Sequence, residues 1–182
     1  MKLIETNILS GDFFFVKGTS LYAFAIKLNT FSRFTHIGIA VWIELNGMKR
    51  LCIFEAMSGH GVRLYPIDKY LIECKKRREK IYWYKLHPSI NRETVVQYAS
   101  IHWGKRYASV WQMIYSFGWL MRSFKKIFGW LDKDLDKERF FCSEYGAGAL
   151  RFAGVKTKLP ASLSPGELTE LPWLINQGEL TL

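Results

Sequence analysis

A chain of 182 residues, 49% hydrophobic and 23% charged, can bury one sizeable core, and neither a Pro/Gly/Ser-rich linker nor an internal repeat divides it; one domain over 1–182 is expected. Twenty-six Lys and Arg against sixteen Asp and Glu leave a net charge of +10, a field that attracts phospholipid headgroups, nucleic acid and anionic cell-wall polymers alike and so names no ligand. Three cysteines without framework spacing exclude a disulfide scaffold and fit a reducing compartment.

In chain order the pattern predicts strands near 12–16, 36–44, 49–56, 61–65 and 80–86, and helices near 18–29, 67–73, 91–103, 109–129 and 142–153. Consecutive strands with helices gathered before and after them indicate an α+β fold, with a mostly antiparallel sheet of about five strands packed against helices. The opening Met1 to Asn7 lacks the long apolar core of a secretory signal, so a cytoplasmic protein is expected.

His36 opens the run His36-Ile37-Gly38-Ile39-Ala40-Val41, which reads as a buried strand. A period of two puts His36, Gly38 and Ala40 on one face, so the imidazole has small neighbours and room beside it. Asn46-Gly47 is a strong hairpin signal. Turning there brings Glu55, which closes the apolar strand Leu51-Cys52-Ile53-Phe54, nearly opposite His36. A buried carboxylate needs a partner, and an imidazole would meet that need while being oriented by it. Glu55 capping a turn or pairing with a lysine meets it too, and a strand histidine is also a common satisfied core or edge residue.

Cys142 stands where Phe140-Phe141 gives way to Ser143-Glu144-Tyr145-Gly146-Ala147-Gly148-Ala149, a small-residue stretch spaced like a helix buried against a sheet. At a helix N-terminus, unpaired N–H groups and the helix dipole favour thiolate, which is how a cysteine becomes a nucleophile. The bland alternative is a buried cysteine acting as a small hydrophobe. His36, His60, His87 and His102 are scattered, and neither Cys-x-x-Cys nor His-x-x-x-His occurs, so no metal and no cofactor are expected.

The segment from Ser109 to Trp130 is rich in aromatics, but Arg122, Lys125 and Lys126 break its apolar run before the roughly twenty residues that span a bilayer. It reads as a helical insertion at about 108–131, covering the site or lying peripherally on an anionic membrane surface. Lys75-Lys76-Arg77-Arg78 and the lysines near 125 form basic patches without any nucleic-acid motif, so no specific nucleic-acid partner is expected.

Gly11-Asp12-Phe13-Phe14-Phe15-Val16, Thr35-His36-Ile37-Gly38-Ile39-Ala40-Val41, Phe54-Glu55-Ala56, Gly61-Val62-Arg63-Leu64-Tyr65-Pro66-Ile67, Gly104-Lys105-Arg106-Tyr107, Phe141-Cys142-Ser143-Glu144 and Ser164-Pro165-Gly166-Glu167-Leu168 together resemble the circularly permuted NlpC/P60 cysteine peptidases of the YiiX-like branch. The order His36, Glu55, Cys142 matches the permuted arrangement. The resemblance implies a papain-like thiol hydrolase core, with Cys142 as nucleophile, His36 as general base and then acid, and Glu55 orienting His36. It also implies an active-site tyrosine at Tyr107, able to donate to an oxyanion, against the plain reading of a core tyrosine; Ala108 stands where relatives often carry an acid. The implied substrate is a peptide, isopeptide or cell-wall peptide amide. The alternatives are lipid acyl hydrolysis or acyl transfer, as in the lecithin retinol acyltransferase relatives, whose Asn-Cys-Glu-His-Phe signature is missing here, and a binding module that kept only the fold.

Overall fold

A computed structural model describes residues 7–107, 139–140, 142–157 and 163–180. Its frame is an antiparallel six-stranded sheet. Phe13–Lys17 (β1) lies inside it, between His36–Leu45 (β2) and Lys80–Leu86 (β5); Met48–Met57 (β3) and Gly61–Pro66 (β4) extend it beyond β2, and Leu174–Leu180 (β8) closes the other edge. Leu45 pairs with Met48 across Asn46 and Gly47, both at positive φ (51° and 76°), the geometry of a two-residue hairpin that the Asn-Gly pair favours.

Because β1 is covered on both faces, its side chains alternate between two cores. Phe13 and Phe15 join a cluster with Ile37, Ile39 and Phe54, and this face is covered by Arg92–Ile101 (α3) and Cys142–Phe152 (α4), with Leu168 of the short Pro165–Thr169 helix (α5). Phe14 and Val16 face a second cluster with Ala40 and Ile53, closed by Ile67, Tyr70 and Cys74 of Ile67–Lys76 (α2). Leu21–Thr30 (α1) links β1 to β2; Ser20 caps it, accepting from the Ala23 amide at 3.1 Å. The layers are thus helix, sheet, helices, in agreement with the expected α+β class.

Helix α4 packs closely because it is built from small residues. A Cβ on Gly148 would lie 2.2 Å from the Tyr98 hydroxyl, and one on Gly146 would lie 3.3 Å from Ile37 Cγ2. Asp12, fully buried, ties the sheet to α3: its carboxylate accepts from the Leu9 and Leu86 amides, Trp83 Nε1 and, at 2.6 Å, Arg92 Nη1.

Three details differ from the sequence reading. The sheet has six strands rather than about five, because β8 was not foreseen: its pairing with β5 shifts register between Trp83 and Tyr84, and Gly178 sits at φ 103°, so the period of two is broken. Helix α5 was not foreseen either, being a single capped turn in which Ser164 and Glu167 form a capping box. A two-stranded parallel ribbon of Arg106–Tyr107 (β6) and Arg139–Phe140 (β7) adds to the main sheet. The helix expected over 109–129 and the insertion at 108–131 lie outside the described residues. Among those described, no helix is long and apolar enough to cross a membrane.

Candidate active site

The candidate residues meet at one end of the sheet, where β2 begins, β3 ends, β4 begins and α4 begins. His36 and Glu55 are not opposite each other. The register pairs Glu55 with Gly38, and His36 with Val16 of β1, which makes the two diagonal neighbours on one face. The imidazole reaches across that diagonal, and His36 Nε2 lies 2.6 Å from Glu55 Oε2. Gly38 is small for a reason other than space for the ring: a Cβ there would lie 2.2 Å from Ile53 Cδ1, so the isoleucine already fills the room beside it.

Glu55 is fully buried, and each of its oxygens has a cationic partner. Oε2 faces His36, while Oε1 accepts from Arg63 Nε and Nη2 at 2.8 and 2.7 Å. Arg63 stands directly opposite Glu55 on β4. Burial alone would raise the Glu55 pKa, but the hydrogen bond and charge of His36, followed by those of Arg63, hold it below the ordinary carboxylate value.

Cys142 opens α4 with its side chain buried. Its Sγ lies 3.9 Å from the Thr35 carbonyl oxygen. Thr35 itself is pinned, its amide donating to the Val16 carbonyl at 2.8 Å and its Oγ1 accepting from the Gly18 amide at 2.9 Å. The thiol also lies close enough to the His36 ring to raise its pKa. With Nε2 held by Glu55, Nδ1 is the nitrogen left to face the sulfur. Burial opposes a charge on this ring, yet the hydrogen bonds to Cys142 and Glu55 and the Glu55 charge outweigh it, raising the His36 pKa from 6.5 to about 10. The ring is therefore an imidazolium at neutral pH.

The backbone of Tyr107 lies in β6, beside the start of β4: Val62 N donates to the Lys105 carbonyl at 2.8 Å, and Gly104 N donates back to Val62 at 2.9 Å. Its side chain lies outside the described residues. Cys52 and Cys74 are free thiols buried in the two cores, and burial raises the pKa of both. Arg63 and the pinned Thr35 were missed as parts of the site. The signal for Arg63 was present: turning the β3–β4 hairpin about Gly59, which adopts φ 80°, pairs Met57 with Gly61 and so sets Arg63 across from Glu55.

No protein-family model matches the sequence, and no curated protein matches it. The fold is similar to the crystal structure of YiiX from Escherichia coli O157:H7, described as a metalloprotein and as DUF1105, with a TM-score of 0.65 at 19% identity over 94% of this chain and 97% of that one. The fold of this chain is accordingly YiiX-like.

Proposed function

We propose that the protein is a cysteine hydrolase of amide bonds in peptides, isopeptides or cell-wall peptides. One observation carries this reading: a single imidazole has its Nε2 2.6 Å from a buried carboxylate and lies beside a helix-initial thiol that raises its pKa. In the first half-reaction the Cys142 sulfur, having given its proton to Nδ1, attacks the carbonyl carbon. The C–S bond forms, the C–N bond breaks, and the His36 proton goes to the departing amine. Water then attacks the thioester carbon and gives a proton to Nδ1; the C–S bond breaks and the acid leaves. Tyr107 is assigned as a donor to the oxyanion on the resemblance alone.

YiiX is described as a metalloprotein. The donors of this site do not fit a resident metal: His36 Nε2 and both Glu55 oxygens are engaged with each other and with Arg63, and no three His, Cys, Asp or Glu are arranged to hold a metal ion among the described residues. No step is routed through a metal.

The test uses p-nitrophenyl acetate, an activated ester that reports acyl transfer without knowledge of the natural substrate. Intact-mass analysis should find one acetyl group on Cys142, removable by hydroxylamine and absent from folded Cys142→Ala and His36→Ala proteins. No adduct on the wild type, or an adduct that survives Cys142→Ala, overturns the reading. If both variants preserve every cellular effect of the protein, it is a binding module.

A lipid acyl substrate is favoured by one feature. Phe24, Leu28 and Phe31, spaced by four and three, are 59%, 59% and 95% exposed on α1 and at its C-cap, just ahead of the loop to His36. Such a stripe on a chain of net charge +10 suits an anionic membrane. Release of fatty acid from phosphatidylglycerol vesicles by the wild type, lost in Cys142→Ala, would establish this second activity; no release removes it.

A further inference from the structure

Arg63 is built into the site more firmly than ion pairing alone requires. The turn ahead of it needs Gly61, at φ 72°, because a Cβ there would lie 2.4 Å from the Lys105 carbonyl oxygen. Its guanidinium lies 4.5 Å from the centre of the Tyr65 ring, and its Nη2 is 2.9 Å from Met57 Sδ. The Tyr65 hydroxyl in turn donates to Glu73 of α2 at 2.5 Å. Both hydrogen bonds from the guanidinium to Glu55 go to Oε1, so Oε2 is left to His36. Among the described residues, the ionisable groups around the carboxylate are His36 on β2, Arg63 and Tyr65 on β4, and Tyr70 on α2. Of these, Arg63 is the permanent cation.

That permanence matters halfway through the reaction. Once His36 has passed its proton to the leaving group, the imidazole is neutral and, among the described residues, Arg63 is the remaining cation on a fully buried carboxylate. Without it, Glu55 would gain from taking a proton, since an unpaired buried charge costs far more than a neutral carboxyl group. A protonated Glu55 would donate to Nε2, moving the ring proton to Nδ1, where it blocks the base that must accept a proton from water. Resting on the hydrolase reading, we infer that Arg63 is a positioning residue for deacylation: it keeps Glu55 ionised in the acyl-enzyme and thereby fixes neutral His36 with its proton on Nε2 and its lone pair on Nδ1.

The role separates the two half-reactions. With p-nitrophenyl acetate, Arg63→Gln should lower steady-state turnover by about tenfold or more, the scale of one lost charge-assisted hydrogen bond, and by more than it lowers the burst. The acetyl-Cys142 species should accumulate by mass. Arg63→Lys, which keeps the charge, should restore most of the turnover. A second readout needs no activity: in Cys142→Ala protein at high pH, the 15N shifts of neutral His36 should report Nε2–H, and adding Arg63→Gln should move them toward Nδ1–H while Arg63→Lys does not. Equal losses of burst and turnover, or an unchanged tautomer, overturn the role of Arg63. Failure of the wild type to acylate Cys142 refutes the hydrolase instead, and the tautomer measurement still decides the part played by Arg63.

Discussion

Replacing Glu55 with Gln removes a charge while changing little else, and the surroundings determine the cost. The carboxylate is fully buried between His36 Nε2 at 2.6 Å and two Arg63 donors at 2.7 and 2.8 Å. An amide has one oxygen. Turned to Arg63, it sets its NH2 group against the Nε2–H of the imidazolium; turned to His36, it sets that group against the guanidinium. Losing one partner of a buried ion pair costs about 3–5 kcal/mol, and a domain of this size loses about 2–4 °C of Tm per kcal/mol, so Glu55→Gln should melt on the order of 10 °C below wild type. The deficit has a pH signature. Because folding raises the His36 pKa from 6.5 to about 10, the stabilisation it reports is complete below 6.5 and is lost as pH rises through about 10. Because folding lowers the Glu55 pKa, its stabilisation is present above the ordinary value of 4.5 and is lost as pH falls through the folded value. The Glu55 part of the His36 shift and the Glu55 shift describe one interaction and count once, while the part due to Cys142 stays in Glu55→Gln. The difference in Tm should therefore be largest between about pH 4.5 and 6.5 and shrink toward pH 10, leaving the part due to Arg63. Thermal unfolding of both proteins from pH 4 to 10.5 measures it. A deficit independent of pH, or one below about 1 kcal/mol, would refute the coupling of His36 to Glu55.

Three other outcomes are expected. Asp12→Asn should cost about 3–5 kcal/mol in denaturant unfolding, because its amide must face donors among Leu9 N, Leu86 N, Trp83 Nε1 and Arg92; alkylation of Cys142 well below the melt should be unchanged, and a large change would place Asp12 in the site. Gly38→Ala should cost about 1–3 kcal/mol by driving a methyl into Ile53, and should cost less in an Ile53→Ala background; equal costs in the two backgrounds would show that the strain lies elsewhere. Iodoacetamide at pH 7 should label Cys142 of the native protein alone, since Cys74 is buried with its pKa pushed up to about 12 and burial raises Cys52 as well; labelling should extend to all three cysteines in denaturant, and Cys74 reacting first would contradict the packing of α2.

Local chemistry made most of the frame readable. Asn46-Gly47 specified its hairpin because both residues tolerate positive φ, and the apolar run of β2 announced a buried strand. The dyad was legible in kind, though its geometry was not. Counting from the turn suggested opposition, whereas the ladder pairs Glu55 with Gly38 and leaves the contact to a diagonal reach. Arg63 was visible as a residue without a role, because recognising it requires carrying the register through a second hairpin. Strand β8 was hidden by its bulge and by Asn176, Gln177 and Gly178, whose polarity suits an exposed sheet edge more than an alternating pattern.

The placement of Cys142 shows why several weak signals were needed to read the site. Nothing in the strand around His36 requires a thiol nearby, and nothing at the start of α4 requires an imidazole. What joins them is packing: Gly146 is one helical turn beyond Cys142 and lies against Ile37, the residue after His36. The small-residue stretch that made the helix readable as buried is thus also what lets it approach β2 closely, so that its first residue reaches the Thr35 carbonyl and the His36 ring. On this account helix packing and sulfur position are one constraint. A larger side chain at Gly146, pressed against Ile37, should therefore slow iodoacetamide labelling of Cys142 although it touches neither the sulfur nor the ring; labelling of Gly146→Val at the wild-type rate would refute the link.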